Sequence, residues 1–173
     1  MASEADIGVD RPESGGIRIV QFASMRVALG ADHAGVQLKD AVRSLLQARG
    51  VDVHDFGTID ETSVDYPDYA ALVARAVAMG EVDRGILACG TGLGMAIAAN
   101  KIDGVRAAPV VDLESARLSR EHNDANILAL GARVTTPDMA LQIVSTFLDT
   151  PFAGGRHQRR IDKITALEHE RRT

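Results

Sequence analysis

The sequence predicts an α/β protein, a doubly wound parallel β-sheet sandwiched by helices in three α/β/α layers. Three observations carry that expectation. Short apolar runs of the kind used by buried parallel strands alternate with apolar stripes at helical spacing. Glycines stand where two of the helical stripes stop, at Gly50 and Gly80. A glycine-rich loop, Cys89-Gly90-Thr91-Gly92-Leu93-Gly94, follows one apolar run and precedes a helical segment.

The elements follow in order. Arg26-Val27-Ala28-Leu29 is a short strand ending at Gly30. Leu38, Ala41, Val42, Leu45 and Leu46 then lie on one helix face. Residues 51–56 alternate as a strand does. Asp65-Tyr66-Pro67-Asp68 marks a turn and a helix start, and Tyr69, Leu72, Val73, Ala76 and Val77 form the next stripe. Gly85-Ile86-Leu87-Ala88 is a buried strand, and after the glycine-rich loop Ala96 to Asn100 continue as helix. Further strands are expected over 105–108 and 127–130, and helices over 113–121, 138–148 and 162–170. Such alternation implies right-handed βαβ units in a Rossmann-like or flavodoxin-like sandwich, where ligands sit at the carboxyl ends of the strands. The loops after Leu29, Ala88 and Leu130 are therefore the ones to search for chemistry. Residues 1–24 are polar and rich in turn formers, and read as a disordered leader. Within them Ile17 to Phe22 is apolar enough to add a short strand, and Met25 is a candidate natural start. Residues 25–173 are expected to form one domain.

Composition narrows the function classes. Of 173 residues, 46% are hydrophobic, enough for one core, but only 3% are aromatic and none is Trp. A stacking surface for single-stranded nucleic acid is not expected. The net charge of −5, from 19 Lys+Arg against 24 Asp+Glu, argues against a general polyanion binder. With Cys89 the single cysteine, no intrachain disulfide can form. No apolar run is long enough to span a bilayer, and the N-terminus lacks a signal-peptide pattern, so a soluble cytoplasmic protein is expected.

Several residues carry candidate chemistry. The alternating glycines of the 89–94 loop turn the backbone sharply and expose N–H groups, an arrangement that suits an anion. A plain strand-to-helix turn would look the same. The dinucleotide fingerprint fails in both registers, because Met95 or Ile97 stands at the third glycine, although Asp112 lies at a suitable distance for the ribose acid. Cys89, at a strand end beside backbone N–H groups, is either an inert buried residue or a thiolate able to abstract a proton. Thr91 could donate its hydroxyl to a developing oxyanion. Asp32-His33 follows the first strand, where Asp32 could equally cap a helix. His122 falls near a helix C-terminus, where a histidine also interacts well with the dipole. The five histidines show no metal-ligand spacing, so neither a metal nor another cofactor is expected. Gly154-Gly155-Arg156-His157-Gln158-Arg159-Arg160 is a basic cluster. Arg156 and Arg160, four apart, share one side if the segment is helical and suit a phosphate monoester. Arg133 is a third such cation.

Six motifs in order carry a resemblance: Gly30-Ala31-Asp32-His33-Ala34-Gly35, Asp65-Tyr66-Pro67, Cys89 to Gly94, Ala98-Ala99-Asn100-Lys101, Glu121-His122-Asn123-Asp124-Ala125-Asn126, and Gly154-Gly155-Arg156-His157-Gln158. Together they resemble type B ribose-5-phosphate isomerase, from about Met25 to Arg172. The resemblance implies a homodimer with shared active sites, with a dimer of dimers as a further assembly. It implies interconversion of ribose 5-phosphate and ribulose 5-phosphate in the pentose phosphate pathway, through a cis-enediolate. Carried onto this chain, Cys89 would move the proton between C1 and C2. Thr91 and the N–H groups of the Gly90, Gly92 and Gly94 loop would stabilise the enediolate. His122, helped by Asp32, would open the furanose ring. His33, Arg133, Arg156 and Arg160 would hold the phosphate, some of them across the dimer interface, and Asn100 and Asn123 would bind sugar hydroxyls. One branch of that family uses a carboxylate base. Cys89, with Met95 and Ala96 after the loop, fits the cysteine branch.

Two other readings compete. Allose 6-phosphate, galactose 6-phosphate or a four-carbon sugar phosphate could be the substrate of a related isomerase. A non-catalytic phosphate-binding regulator on the same fold is the alternative from another class. The co-occurrence of Cys89, Thr91 and His122 argues against the regulator, because a binder needs no base.

Overall fold

In a computed structural model of the chain, residues 25–170 are described. The leader expected over 1–24, with its short strand, lies outside them. The elements run β1 (Arg26–Ala31), α1 (Val36–Ala48), β2 (Asp52–Asp55), α2 (Tyr66–Ala78), β3 (Arg84–Cys89), α3 (Leu93–Ala99), β4 (Ala107–Pro109), α4 (Leu113–Glu121), β5 (Ile127–Gly131) and α5 (Pro137–Asp149). A 3-10 turn (Gly155–His157) leads into α6 (Gln158–Glu170).

All five strands are parallel, in the order β2-β1-β3-β5-β4. A flavodoxin-like sheet would place its last strand at the edge. Here β4 takes the edge instead, and its three residues explain why. Its run, Ala107-Ala108-Pro109, is half exposed and ends in a proline that cannot donate to a ladder. β5, Ile-Leu-Ala-Leu-Gly, is buried throughout and belongs inside.

The period of two along the strands sorts the core into two layers. Val27, Leu29, Ile86, Leu128 and Leu130 face α1, α4 and α5, and close around Phe147, Leu46 and Ile143. Ala28, Leu87, Ile127 and Ala129 face α2 and α3, and meet Val73, Ala74, Met95 and Ala99. Phe147 is fully buried, so Phe147→Ala is expected to cost about 3–5 kcal/mol of stability. Urea unfolding at neutral pH measures it, and a loss under about 1 kcal/mol would mean that the site collapses around the missing ring.

Local chemistry sets the element ends. Thr136 caps α5 by accepting from Met139 N–H, with Pro137 in the first turn, and Asp112 caps α4 by accepting from Ser115 N–H at 2.7 Å. α1 starts hard against β3. A Cβ on Gly35 would lie 2.3 Å from the Ala88 carbonyl oxygen, so only glycine fits.

Three boundaries depart from the sequence expectation. The strand expected over 105–108 begins two residues later. Arg106 N–H donates to the Asn126 side chain at 2.8 Å, and the ladder starts at the Ala107–Ile127 pair. α6 begins at Gln158 rather than 162, with Gln158 Nε2 donating to Asp162 Oδ1 at 2.8 Å across its first turn. Arg156 therefore lies in the 3-10 turn, outside the helix that carries Arg160. α3 begins at Leu93, three residues ahead of the expected start at Ala96, because Gly92 in its left-handed conformation turns the chain directly into the helix. α4 and α5 agree with expectation to within a residue.

Candidate active site

The expected site residues fall into two groups at opposite ends of the sheet. The first group stands at the carboxyl ends of β1, β3 and β5. Ala31 and Ala88 are partners across β1 and β3, so the residues after them, Asp32 and Cys89, emerge next to each other. Asp32 N–H donates to the Ala88 carbonyl. The Asp32 carboxylate, buried, accepts from the N–H groups of Ala34 at 2.9 Å and Gly35 at 3.1 Å. It closes the turn ahead of α1, whose N-cap is Gly35, so the simple capping role does not describe it.

Cys89 is 5% exposed, and its Sγ accepts from Gly92 N–H at 3.2 Å. Gly92 reaches that position with φ at 78°, a left-handed conformation that favours glycine. Thr91 is exposed beside it. α3 is only seven residues long. A helix that short has little dipole of its own, so what its start presents is the N–H groups of its first turn. Arg133 N–H donates to the Gly90 carbonyl at 2.9 Å, and a Cβ on Gly90 would lie 3.4 Å from Arg133 Nη1, so this cation covers the loop.

His33 Nδ1 accepts from Val64 N–H at 3.2 Å. An accepting nitrogen carries no proton, so Nε2 is the donor that His33 presents. His33, Gln37, Glu61, Arg133 and Thr135 line a cavity of about 590 Å³ beside this group. Sequence reading missed Tyr66 here. Its ring packs on the glycine-rich loop, where a Cβ on Gly94 would meet Tyr66 Cζ at 2.7 Å. The Asp65-Tyr66-Pro67 motif, a helix start and one of the six motifs of the resemblance, was the available signal.

The second group stands at the amino end. His122 is the C-cap of α4, and its ring stacks on His157, centroids 4.2 Å and planes 8° apart. Ala153 N–H donates to the Glu121 carbonyl at 3.1 Å, which holds the basic 154–160 segment against the end of α4. Asp124 has φ at 43°. Its carboxylate is clamped by Arg106 at 2.9 Å and by the buried Arg120 at 2.7 Å, which fixes the His122-Asn123 bend. Asn100 and Asn123 line a separate cavity of about 760 Å³ with Arg106, Ile164 and Leu167. The Asn100 amide is engaged at both its groups, donating to the Ala107 carbonyl and accepting from Ala107 N–H, each at 2.8 Å. It splints β4 to α3.

Cys89 is level with Gly131 at the carboxyl end of β5, whereas His122 precedes Ile127 at its amino end. Five strand residues separate the ends by about 13 Å. One chain therefore does not bring Cys89, Asp32, His33 and Arg133 together with His122, Arg156 and Arg160.

Burial, with His122, Arg156 and Arg160 nearby, holds the His157 imidazole below its ordinary 6.5. An unfolded chain takes up that proton near 6.5, the folded chain only at lower pH. Stability is thus expected to fall as pH drops from just above 6.5 toward the folded value. Urea midpoints across that range test it. His157→Phe should flatten the slope, and an unchanged slope would assign the dependence elsewhere.

Among the described residues no helix is long and apolar enough to cross a membrane, and no group of three or more His, Cys, Asp or Glu is placed to hold a metal ion. The family model described as Ribose/Galactose Isomerase matches residues 27–164. Ribose-5-phosphate isomerase B of Escherichia coli is 51% identical over 146 residues, covering 84% of this chain and 98% of its own. A D-erythrulose-4-phosphate isomerase of Pectobacterium atrosepticum is 43% identical over 148 residues, covering 84% of this chain and 97% of its own. The solved ribose-5-phosphate isomerase B of Clostridium thermocellum superposes with a TM-score of 0.84 at 54% identity, covering 84% of this chain and 99% of its own. The chain belongs to the ribose/galactose isomerase family, on its type B ribose-5-phosphate isomerase side. It is an aldose–ketose isomerase, an intramolecular oxidoreductase that acts on sugar phosphates.

Proposed function

We propose that the protein interconverts ribose 5-phosphate and ribulose 5-phosphate through a cis-enediolate, in sites shared by two copies of the chain. The observation that carries this reading is the separation of the two groups. A base with its oxyanion loop stands at one end of the sheet, and an imidazole with a pair of arginines at the other. In a homodimer, the carboxyl end of one chain would face the amino end of its partner, and each site would then be complete.

In that site the partner's His122 and Asp32 exchange the two protons of ring opening, one delivered to the ring oxygen and one taken from the anomeric hydroxyl. Cys89 Sγ removes the proton from C2 of the open aldose to give the enediolate, the proton of the C2 hydroxyl passes to O1, and Cys89 returns its proton to C1 to give the ketose. Charge on the enediolate oxygens meets the Thr91 hydroxyl and the N–H groups of the glycine loop. His33 Nε2–H and Arg133 hold the phosphate together with the partner's Arg156 and Arg160. Distant anchoring of this kind lets binding energy orient the reacting carbons. The groups named provide base, acid and oxyanion donors, so we assign no metal or cofactor. We place the enzyme in the cytoplasm, in the pentose phosphate pathway.

The direct test is turnover of ribose 5-phosphate by the purified protein with chelator present, and allose 6-phosphate and D-erythrulose 4-phosphate in parallel. Chelator-resistant formation of ribulose 5-phosphate at the highest kcat/KM of the three supports the reading. A higher kcat/KM for the four- or six-carbon substrate would reassign the specificity. Arg156→Ala is expected to raise KM for ribose 5-phosphate about 10–100-fold, because a charge-assisted bond to phosphate is lost. An unchanged KM would remove Arg156 from the anchor.

A further inference from the structure

His157 has no assigned part in the reaction, yet it touches two residues that do. It is 7% exposed, at the end of the 3-10 turn that opens α6. Its ring face lies flat on His122. Its ring edge accepts a hydrogen bond, from Arg156 Nε–H to His157 Nε2 at 3.4 Å. Nε2 therefore carries no proton, and a neutral His157 bears its proton on Nδ1. The charged groups around it are Arg156 of its own turn, Arg160 of α6, and His122 and Glu121 from the end of α4, with Glu121 already paired to Arg117. Three of these four are cationic or become so on protonation, and they disfavour a second proton on His157.

We propose that His157 is a positioning residue for the isomerase: its ring face fixes the plane of the His122 imidazole, and its Nε2 fixes the Arg156 guanidinium. The inference rests on the reading of His122 as the ring-opening group and Arg156 as a phosphate ligand. A flat stack removes the free rotation of an imidazole at a helix end. A guanidinium held at Nε has its Nη1 and Nη2 left as the outward pair, the fork that matches two phosphate oxygens. One buried ring thus aligns an acid–base group and an anchor together, which is the preorganisation that rate and binding both need.

Two substitutions in the full-length protein separate the face from the edge. His157→Phe keeps a flat ring under His122 and removes the acceptor. It is expected to raise KM for ribose 5-phosphate, and to weaken binding of inorganic phosphate by calorimetry, each about fivefold, with kcat retained. His157→Gln keeps a carbonyl near Nε2 and removes the stack. It is expected to retain KM and phosphate affinity and to lower kcat about tenfold. A purely structural role would instead lower the thermal midpoint, kcat and phosphate affinity together in both variants, and that result overturns the proposal. So does wild-type behaviour in both. The tautomer is a further check that needs no activity. A long-range 1H–15N spectrum of the wild-type protein should show His157 protonated at Nδ1, and a proton at Nε2 overturns the edge contact. Absence of ribose 5-phosphate turnover by the wild-type protein would count against the catalytic reading, while that spectrum still decides the geometry.

Discussion

Cys89→Ala is expected to lower kcat for ribose 5-phosphate by about 10²–10⁴-fold, the usual contribution of a positioned general base, with KM near the wild-type value. The sulfur sits under the Gly92 N–H and beside Asp32, whereas the phosphate ligands assigned above, His33, Arg133, Arg156 and Arg160, lie on the segments after β1, after β5 and around the 3-10 turn. Losing the sulfur leaves those segments untouched. The Gly92 N–H loses its acceptor, a cost of about 1 kcal/mol in stability, so a thermal melt must accompany the kinetics. Turnover within about tenfold of wild type would assign the proton transfer to another group, with Asp32 the first to examine.

Mixing two inactive variants is the sharper experiment. On the two-chain reading, Cys89→Ala and His122→Ala chains each spoil both sites of their own homodimers. In a heterodimer, the intact Cys89 of one chain meets the intact His122 of the other in one site, and both lesions fall in the second. After unfolding and co-refolding at equal concentrations, half the dimers are mixed and half of their sites are intact, so activity should recover to about a quarter of wild type. Recovery no greater than the mean of the two variants would mean that each site is built within one chain. It would also require a movement of about 13 Å to bring the two groups together.

Much of the fold was legible because strand and helix periods differ and alternate cleanly from Met25 onward. The β1, β3 and β5 runs are continuous and buried, and a buried run of that kind has few other uses. The β4 boundary was not legible, since Val105 and Arg106 suit a strand by propensity. Only the fold brings the Asn126 side chain to capture the Arg106 N–H. The α6 start was hidden for a similar reason, because Gln158 and Asp162 close the first turn through their side chains.

The separation of the two groups of residues was legible in the alternation of strands and helices, and the resemblance implied sites shared by two chains. In an alternating β/α chain every helix returns to the amino edge. A residue just before a strand, as His122 is before β5, must therefore stand opposite one just after a strand, as Cys89 is after β3. Tyr66 and His157 stood inside recognised motifs, but their roles depend on packing against Gly94 and His122, which no spacing rule announces. Asn100 likewise has a contact that its motif does not announce, since its amide pairs with both backbone groups of Ala107 on the edge strand.

The distance between the two ends of β5 also bears on how activity arises in a cell. On the two-chain reading, a newly made chain is folded but inert, and becomes an enzyme only on meeting another. At expression levels well below the dimer dissociation constant, the number of working sites would rise with the square of the number of chains, and above it in simple proportion. Substrate bound across the seam would hold the two chains together, so the metabolite itself would shift the assembly equilibrium. Specific activity measured on serial dilution, with and without substrate preincubation, would display that threshold directly.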